Sequence, residues 1–166
     1  MFHETIDTPI GPIQLASDGE GLTHVGLPAA RHPWVMPAGS RRDGSRFSEA
    51  RRQFAAYFDG TLQAFDLPLA PHGTAFQRSV WDALRQIPYA QTISYVELAR
   101  RIGKPSASRA VGLANGANPL SIIVPCHRVI GANGALTGYG GGLDAKRFLL
   151  ELEQRHARAP RFELSA

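Results

Sequence analysis

A single cysteine in 166 residues rules out an internal disulfide, and there is no cysteine pair from which to build a zinc finger. The chain is therefore assigned to a reducing compartment. Long apolar runs are missing too: no stretch approaches the roughly 20 residues that a membrane-crossing helix needs. Met1 to Leu15 mixes His3, Glu4 and Asp7 with apolar residues, unlike a secretory leader. No internal repeat or low-complexity segment occurs. These absences predict a soluble cytoplasmic protein with no membrane partner. Acidic residues are scarce in the second half: residues 1–70 carry six Lys/Arg against eight Asp/Glu and residues 71–166 twelve against six, within a formal net charge of +4. Such an excess of cations is the footprint of a nucleic-acid binder, because Lys and Arg displace counterions from phosphates. A basic protein without that partner carries the same charge, so charge alone does not decide.

The apolar pattern divides the chain in two. Residues 2 to 27 alternate short apolar runs with turn signals, Thr8-Pro9, Gly11-Pro12 and Asp18-Gly19, which predicts an antiparallel hairpin or meander. Residues 28 to 45, rich in Pro, Gly and Arg, read as a loop. Phe47, Ala50, Phe54 and Phe58 have helical spacing, and Asp59-Gly60 stops that helix. An extended run from Ala64 to Leu69 precedes the boundary, placed at residue 70/71.

In residues 71–166, Thr74 and Gln77 form a capping-box pattern ahead of the stripe Phe76, Val80, Ala83, Leu84 and Ile87, with Pro88 as the stop. Ser94 and Glu97 repeat the pattern for a short helix that buries Tyr95, Leu98, Ala99 and Ile102. After Gly103-Lys104-Pro105, Ser106 opens a third helix that buries Ala107, Ala110, Val111 and Ala114. Residues 94–116 thus have the form of a helix-turn-helix. On the third helix, Arg109, Gly112, Leu113 and Gly116 lie together away from the core. That face suits a backbone pressed against a flat partner with one cation projecting, though glycines that ease helix packing give the same pattern. A last helix opens at Asp144 and buries Ala145, Phe148, Leu149 and Leu152, with Glu153 at the edge of that face. The fold class is α+β: a small antiparallel sheet with a helix, then a mainly helical half.

The only thiol follows a buried apolar run, Ile122-Ile123-Val124, read as a strand that delivers Cys126 to its end, since Pro125 biases Val124 to extended geometry. A lone cysteine is often an inert core residue. A nucleophilic one needs a base or a positive field. His127 is adjacent, but neighbours on an extended segment point to opposite faces. Either the chain bends at Cys126 or a water bridges thiol and imidazole, and Glu153 is a candidate to orient the ring.

Pro125-Cys126-His127-Arg128-Val129, with Asn118-Pro119 before it and Gly138-Tyr139 and Gly141-Gly142 after it, resembles the O6-alkylguanine-DNA alkyltransferases, also called methylated-DNA–protein-cysteine methyltransferases. The likeness runs without a gap from Gly73 to about Glu153 and more loosely through the first half. It implies direct-reversal repair, in which Cys126 accepts the alkyl group of O6-alkylguanine, or of O4-alkylthymine, once per molecule and without a cofactor or metal. By the same resemblance His127 acts through a water, Glu153 holds His127, Asn118 braces the turn, and Tyr95 rotates a phosphate and gives a proton to the leaving guanine. Arg109 replaces the flipped base, while Ser94, Ala107, Gly112, Gly116 and Arg128 meet the minor groove of double-stranded DNA. Tyr139, Gly140, Val129, Asn115 and Pro125 line the pocket. The implied first domain is ribonuclease H-like and buttresses the second. The expected protein is a bacterial-type, nucleoid-associated monomer, with cooperative binding on DNA left open.

Three departures stand out. Many relatives have Ser where this chain has Gly140, so a hydroxyl contact to the guanine oxygen is missing. The cysteines with which some relatives bind zinc in the first domain are absent, and repair without the N-terminal module and transcriptional control of the regulatory relatives is expected. Alternative readings remain: non-catalytic binding of alkylated DNA, against which Cys126 argues; a helix-turn-helix transcription regulator, which would prefer a defined sequence; and a cysteine hydrolase, which would turn over.

Overall fold

The computed structural model describes residues 1–158. Three strands, β1 (Phe2–Ile6), β2 (Ile13–Ser17) and β3 (Leu22–Gly26), form the antiparallel meander, and a two-residue β4 (Arg41–Arg42) adds in parallel beside β1, giving the order β3-β2-β1-β4. The hairpin between β2 and β3 closes on Asp18, whose Oδ1 accepts from the N–H groups of Glu20 at 2.8 Å and Gly21 at 3.0 Å, with Gly19 at φ +100°. Because β4 is so short, residues 28–45 contain a strand that carried no periodic signal. The first helix, α1 (Ser48–Phe58), buries Ala50, Phe54 and Tyr57 rather than Phe58. Ala64–Leu69 is not a strand: only Leu69 bridges to Leu22, and Pro68 lacks an N–H for a ladder.

Thr74 caps α2 (Ala75–Leu84) with both halves of the capping box in place. The helix stops three residues short of Ile87, which is buried all the same. After β5 (Ile93–Ser94), Ser94 caps α3 (Tyr95–Arg101) by accepting from Glu97 N–H at 3.1 Å, but the reciprocal bond is missing because the Glu97 carboxylate pairs with Arg100 and Arg101. Gly103, at φ +74°, makes the turn into α4 (Ser108–Gly116). Ala110 is exposed, contrary to the stripe read for this helix; Val111 and Ala114 face inward as read, and Asn115 joins them. Arg109, Leu113 and Gly116 point outward, as their spacing predicts, with Gly112 half-buried beside them.

The apolar run before the thiol is a tight turn and not a strand. Val124 N–H donates to Leu120 carbonyl at 2.9 Å, and Ile122 sits at φ +75°, a conformation rare for a β-branched residue. Asn118 makes this possible by donating to Val124 carbonyl at 2.8 Å and accepting from Leu120 N–H at 2.9 Å. Cys126–Arg128 then forms a single 3-10 turn, followed by β6 (Val129–Ile130) parallel to β5. The last helix, α5 (Leu143–Arg158), begins one residue ahead of Asp144. A single apolar core runs through both halves of the chain, from Leu15, Phe54 and Tyr57 to Leu84, Leu98 and Leu149. Among the described residues no helix is long and apolar enough to cross a membrane.

Candidate active site

The 3-10 turn is the bend that the neighbouring thiol and imidazole require. It leaves Cys126 in the wall of a cavity of about 970 Å³ and turns His127, fully buried, toward α5. There His127 Nε2 lies 2.6 Å from Glu153 Oε2. Glu153, read from the sequence as a helix-edge residue, has no exposure at all. Its carboxylate also accepts from Arg128 Nε at 2.8 Å and Nη2 at 3.1 Å, from Tyr57 Oη at 2.6 Å and from Ala90 N–H at 3.1 Å. Burial alone would raise this acid, but the hydrogen bonds from His127 and Arg128 and the Arg128 charge outweigh it and hold it well below the usual carboxylate range.

An ionised Glu153 fixes the tautomer of its neighbour. Burial holds His127 below the ordinary imidazole range, against the opposing pull of Glu153, so the ring is neutral. Its Nε2 must then carry the proton donated to the carboxylate, which leaves Nδ1 as a bare acceptor. Nδ1 has no hydrogen-bond partner among the described residues. Burial pushes the Cys126 thiol up, while the Asn118 amide and the Lys146 ammonium pull the other way. The arrangement therefore holds a protonated nucleophile beside a neutral base with one free lone pair. That combination suits attack on an electrophile that first enters the cavity.

The other expected residues divide by position. Asn115, Asn118, Tyr95, Tyr139 and Gly140 line the cavity with Cys126; Pro125 and Val129, expected there too, are buried and not part of its wall. The β5–β6 pairing sets Ile93 opposite Val129 and so brings the start of α3 to the thiol. Ser94, Tyr95, Arg109 and Gly112 border a second, shallower groove. Ala107 stands at the N-terminal end of α4 and Gly116 at its last residue, with open space where a Cβ would project from Gly116. Arg128 is a correction: it does not belong to a DNA-facing surface. It is buried, with Glu153 taking two of its donors and Ile87 carbonyl accepting from Nη1 at 2.7 Å.

Several contributors carried no sequence signal. Lys146 is fully buried on α5 and donates to Val129 carbonyl at 2.7 Å and Thr137 carbonyl at 2.9 Å, which ties the loop after β6 to the helix beneath it. Tyr57 reaches the Glu153 carboxylate from the first half. Val25, Leu27, Arg31 and Trp34, also from the first half, border the cavity.

Comparison with known proteins follows these same segments. Residues 1–71 match a family model described as 6-O-methylguanine DNA methyltransferase, ribonuclease-like domain, and residues 75–155 match the 6-O-methylguanine DNA methyltransferase, DNA binding domain. The chain is 56% identical over 153 residues to a methylated-DNA–protein-cysteine methyltransferase of Methanosarcina acetivorans, covering 92% of this chain and 98% of that one. It is 53% identical over 165 residues to the protein of the same name in Mycobacterium tuberculosis, covering 96% of each. The crystal structure of Mycobacterium tuberculosis OGT in complex with DNA matches at TM-score 0.89 and 52% identity, again over 96% of each chain. An O6-methylguanine DNA methyltransferase from Methanococcus jannaschii matches at TM-score 0.67 and 25% identity over 98% of this chain and 99% of that one.

Proposed function

The chain belongs to the O6-methylguanine DNA methyltransferase family, and from that premise we propose that it repairs DNA by moving the alkyl group of O6-alkylguanine onto its own Cys126, once per molecule. The observation that carries this reading is the buried relay: Glu153 fixes His127, and the free Nδ1 of His127 is left to take the proton of Cys126 through one bridging water. Sγ bonds to the alkyl carbon as the carbon–O6 bond breaks. The electron pair stays with guanine, which takes a proton from the Tyr95 hydroxyl as it leaves, and the proton that the thiol passed to His127 returns through solvent to the Tyr95 oxygen. Nothing in the relay reverses a thioether, so each molecule acts once. O4-alkylthymine presents the same alkoxy carbon and reacts by the same step.

The substrate base reaches Cys126 only after leaving the duplex, since the thiol lies inside a cavity. The outer face of α4 suits the minor groove, where small residues let the backbone approach and Arg109 fills the gap left in the stack. Ser94, Ala107, Gly112 and Gly116 form the rest of that contact. The cations of the second half hold the phosphates without regard to sequence, which keeps the protein on the nucleoid in search of lesions. It works as a monomer.

Intact mass after incubation with a duplex holding one O6-methylguanine tests the proposal. One methyl per chain, mapped to Cys126 and absent in Cys126→Ser, is the expected result. Tight binding with no mass gain would make this a recognition protein, and repeated release of product would make it a hydrolase.

A further inference from the structure

Gln154 follows Glu153 on α5 and is exposed, yet its side chain is fixed: Nε2 donates to Ala90 carbonyl at 2.6 Å. Holding a long surface side chain in one rotamer costs conformational freedom, and a neutral surface hydrogen bond offsets little of that cost. What Gln154 holds is the turn that follows α2. Ala90, in that turn, sits at φ +63°, the left-handed region that strains an alanine and not a glycine. In this conformation the N–H and the carbonyl of one residue both meet α5. The N–H donates to Glu153 Oε1 at 3.1 Å, and the carbonyl accepts from Gln154.

The same turn touches the relay at two more points. Ile87 carbonyl accepts from Arg128 Nη1 at 2.7 Å, and the Arg128 guanidinium carbon lies 5.7 Å from the centre of the Tyr89 ring. Pro88 carbonyl accepts from Gln91 N–H at 3.1 Å, and the chain then enters β5, which pairs with β6. Both ends of the turn are anchored in the scaffold, and the Ala90 peptide between them is set by α5. Among the described residues Ala90 supplies the one main-chain donor to Glu153; the others are the side chains of Tyr57, His127 and Arg128. A peptide N–H neither titrates nor changes rotamer, so its contribution depends on where the turn places it.

We propose that Gln154 and Ala90 are positioning residues for the relay: the Gln154 amide clamps the left-handed Ala90 peptide against Glu153 and so sets, from the surface, how strongly the carboxylate draws on His127. The inference rests on the alkyl transfer proposed above, in which His127 must be neutral to take the proton of Cys126. A carboxylate that accepts from Ala90 spreads its charge over one more donor and pulls less on the imidazole. When the peptide swings away, the charge concentrates on His127, the ring holds an added proton more tightly, and it stops acting as a base at a higher pH. The other groups facing this pair are Arg128, Lys146 and the hydroxyls of Tyr57, Tyr89 and Tyr139, all three hydroxyls raised by burial above the ordinary tyrosine range. None of them is altered by a change at Gln154.

The test is a titration of the His127 ring by nitrogen-15 NMR, with single-turnover transfer from a duplex holding O6-methylguanine measured across the same pH range. In Gln154→Leu the ring's midpoint rises by about half a pH unit, and the acid limb of the transfer profile rises with it, about a threefold loss of rate on the acid side. Because Gln154 is exposed, the melting temperature at neutral pH changes little. Ala90→Val, whose β-branched side chain resists the left-handed backbone, gives the same shift. Ala90→Gly keeps both the backbone and the amide and stays at the wild-type midpoint. An unchanged or lower midpoint in both Gln154→Leu and Ala90→Val overturns the proposal, and so does a shift in Ala90→Gly as large as that in Ala90→Val. Midpoints that move as expected in a protein whose wild type transfers no methyl uphold the clamp and remove the repair reading.

Discussion

At Tyr57 the first half of the chain reaches the reacting centre. Its hydroxyl donates 2.6 Å to Glu153 Oε2, and burial together with the Glu153 charge keeps it protonated far above neutrality. Hydrogen bonds to a charged, buried acceptor contribute about 1.5–3 kcal/mol. Tyr57→Phe is therefore expected to lose stability in that range on denaturant unfolding and to slow alkyl transfer only modestly, since His127 and Arg128 still hold the carboxylate. A variant as stable as the wild type would mean that Glu153 does not need this donor. Tyr57 and Lys146 were illegible in the sequence because a tyrosine beside the read stripe and a lysine normally signal an exposed face. Burying Lys146 took two carbonyls brought in from 9 and 17 residues away, which no local spacing reports. Glu153 was singled out from its place at the edge of the last helix, which could not report its complete burial, whereas the pairing of the lone thiol with an adjacent imidazole could be read directly.

Among the elements, α4 separates stability from function most clearly. A Cβ on Gly112 would meet Tyr95 Cδ1 at 3.8 Å, an ordinary contact. Gly112→Ala should accordingly stabilise the helix by about 0.5–1 kcal/mol. The same methyl stands between the helix and a minor groove, so repair of duplex substrate should fall while reaction with free O6-benzylguanine persists. Equal rates on duplex for variant and wild type would remove Gly112 from the DNA contact. Arg109→Ala is expected to weaken duplex repair far more than reaction with the free base; equal losses on both would end its role at the flipped base. The caps of α2 and α3 and the outward face of α4 were readable because each depends on residues within one turn. The segment Leu120–Val124 was not: its apolar run has the composition of a strand. What forces it into a turn is the Asn118 amide, which donates to Val124 carbonyl and accepts from Leu120 N–H, together with a positive φ at Ile122.

For the whole molecule, acid is the condition to which the buried relay is most exposed. Glu153 and His127 both titrate lower in the folded chain than in the unfolded one, so unfolding takes up protons as the pH falls. Their stabilising contribution is complete above the ordinary imidazole value of about 6.5 and is lost progressively below it. The melting temperature should thus hold steady near neutrality and drop steadily from about pH 6 toward pH 3. A melting temperature that stays level through that window would show that neither group is held in its charged or neutral form by the fold.

The seam between the halves also bears on protein engineering. Val25 and Arg31 hold the two rims of the cavity by main-chain bonds, Leu27 would be struck by any Cβ placed on Gly141, and Tyr57 supplies a donor to Glu153. The two segments recognised as separate family units are not interchangeable parts. A chimera that takes residues 75–155 from one relative and the first half from another must carry these four contacts across together, or it will inherit a pocket with a displaced wall and a carboxylate short of one partner.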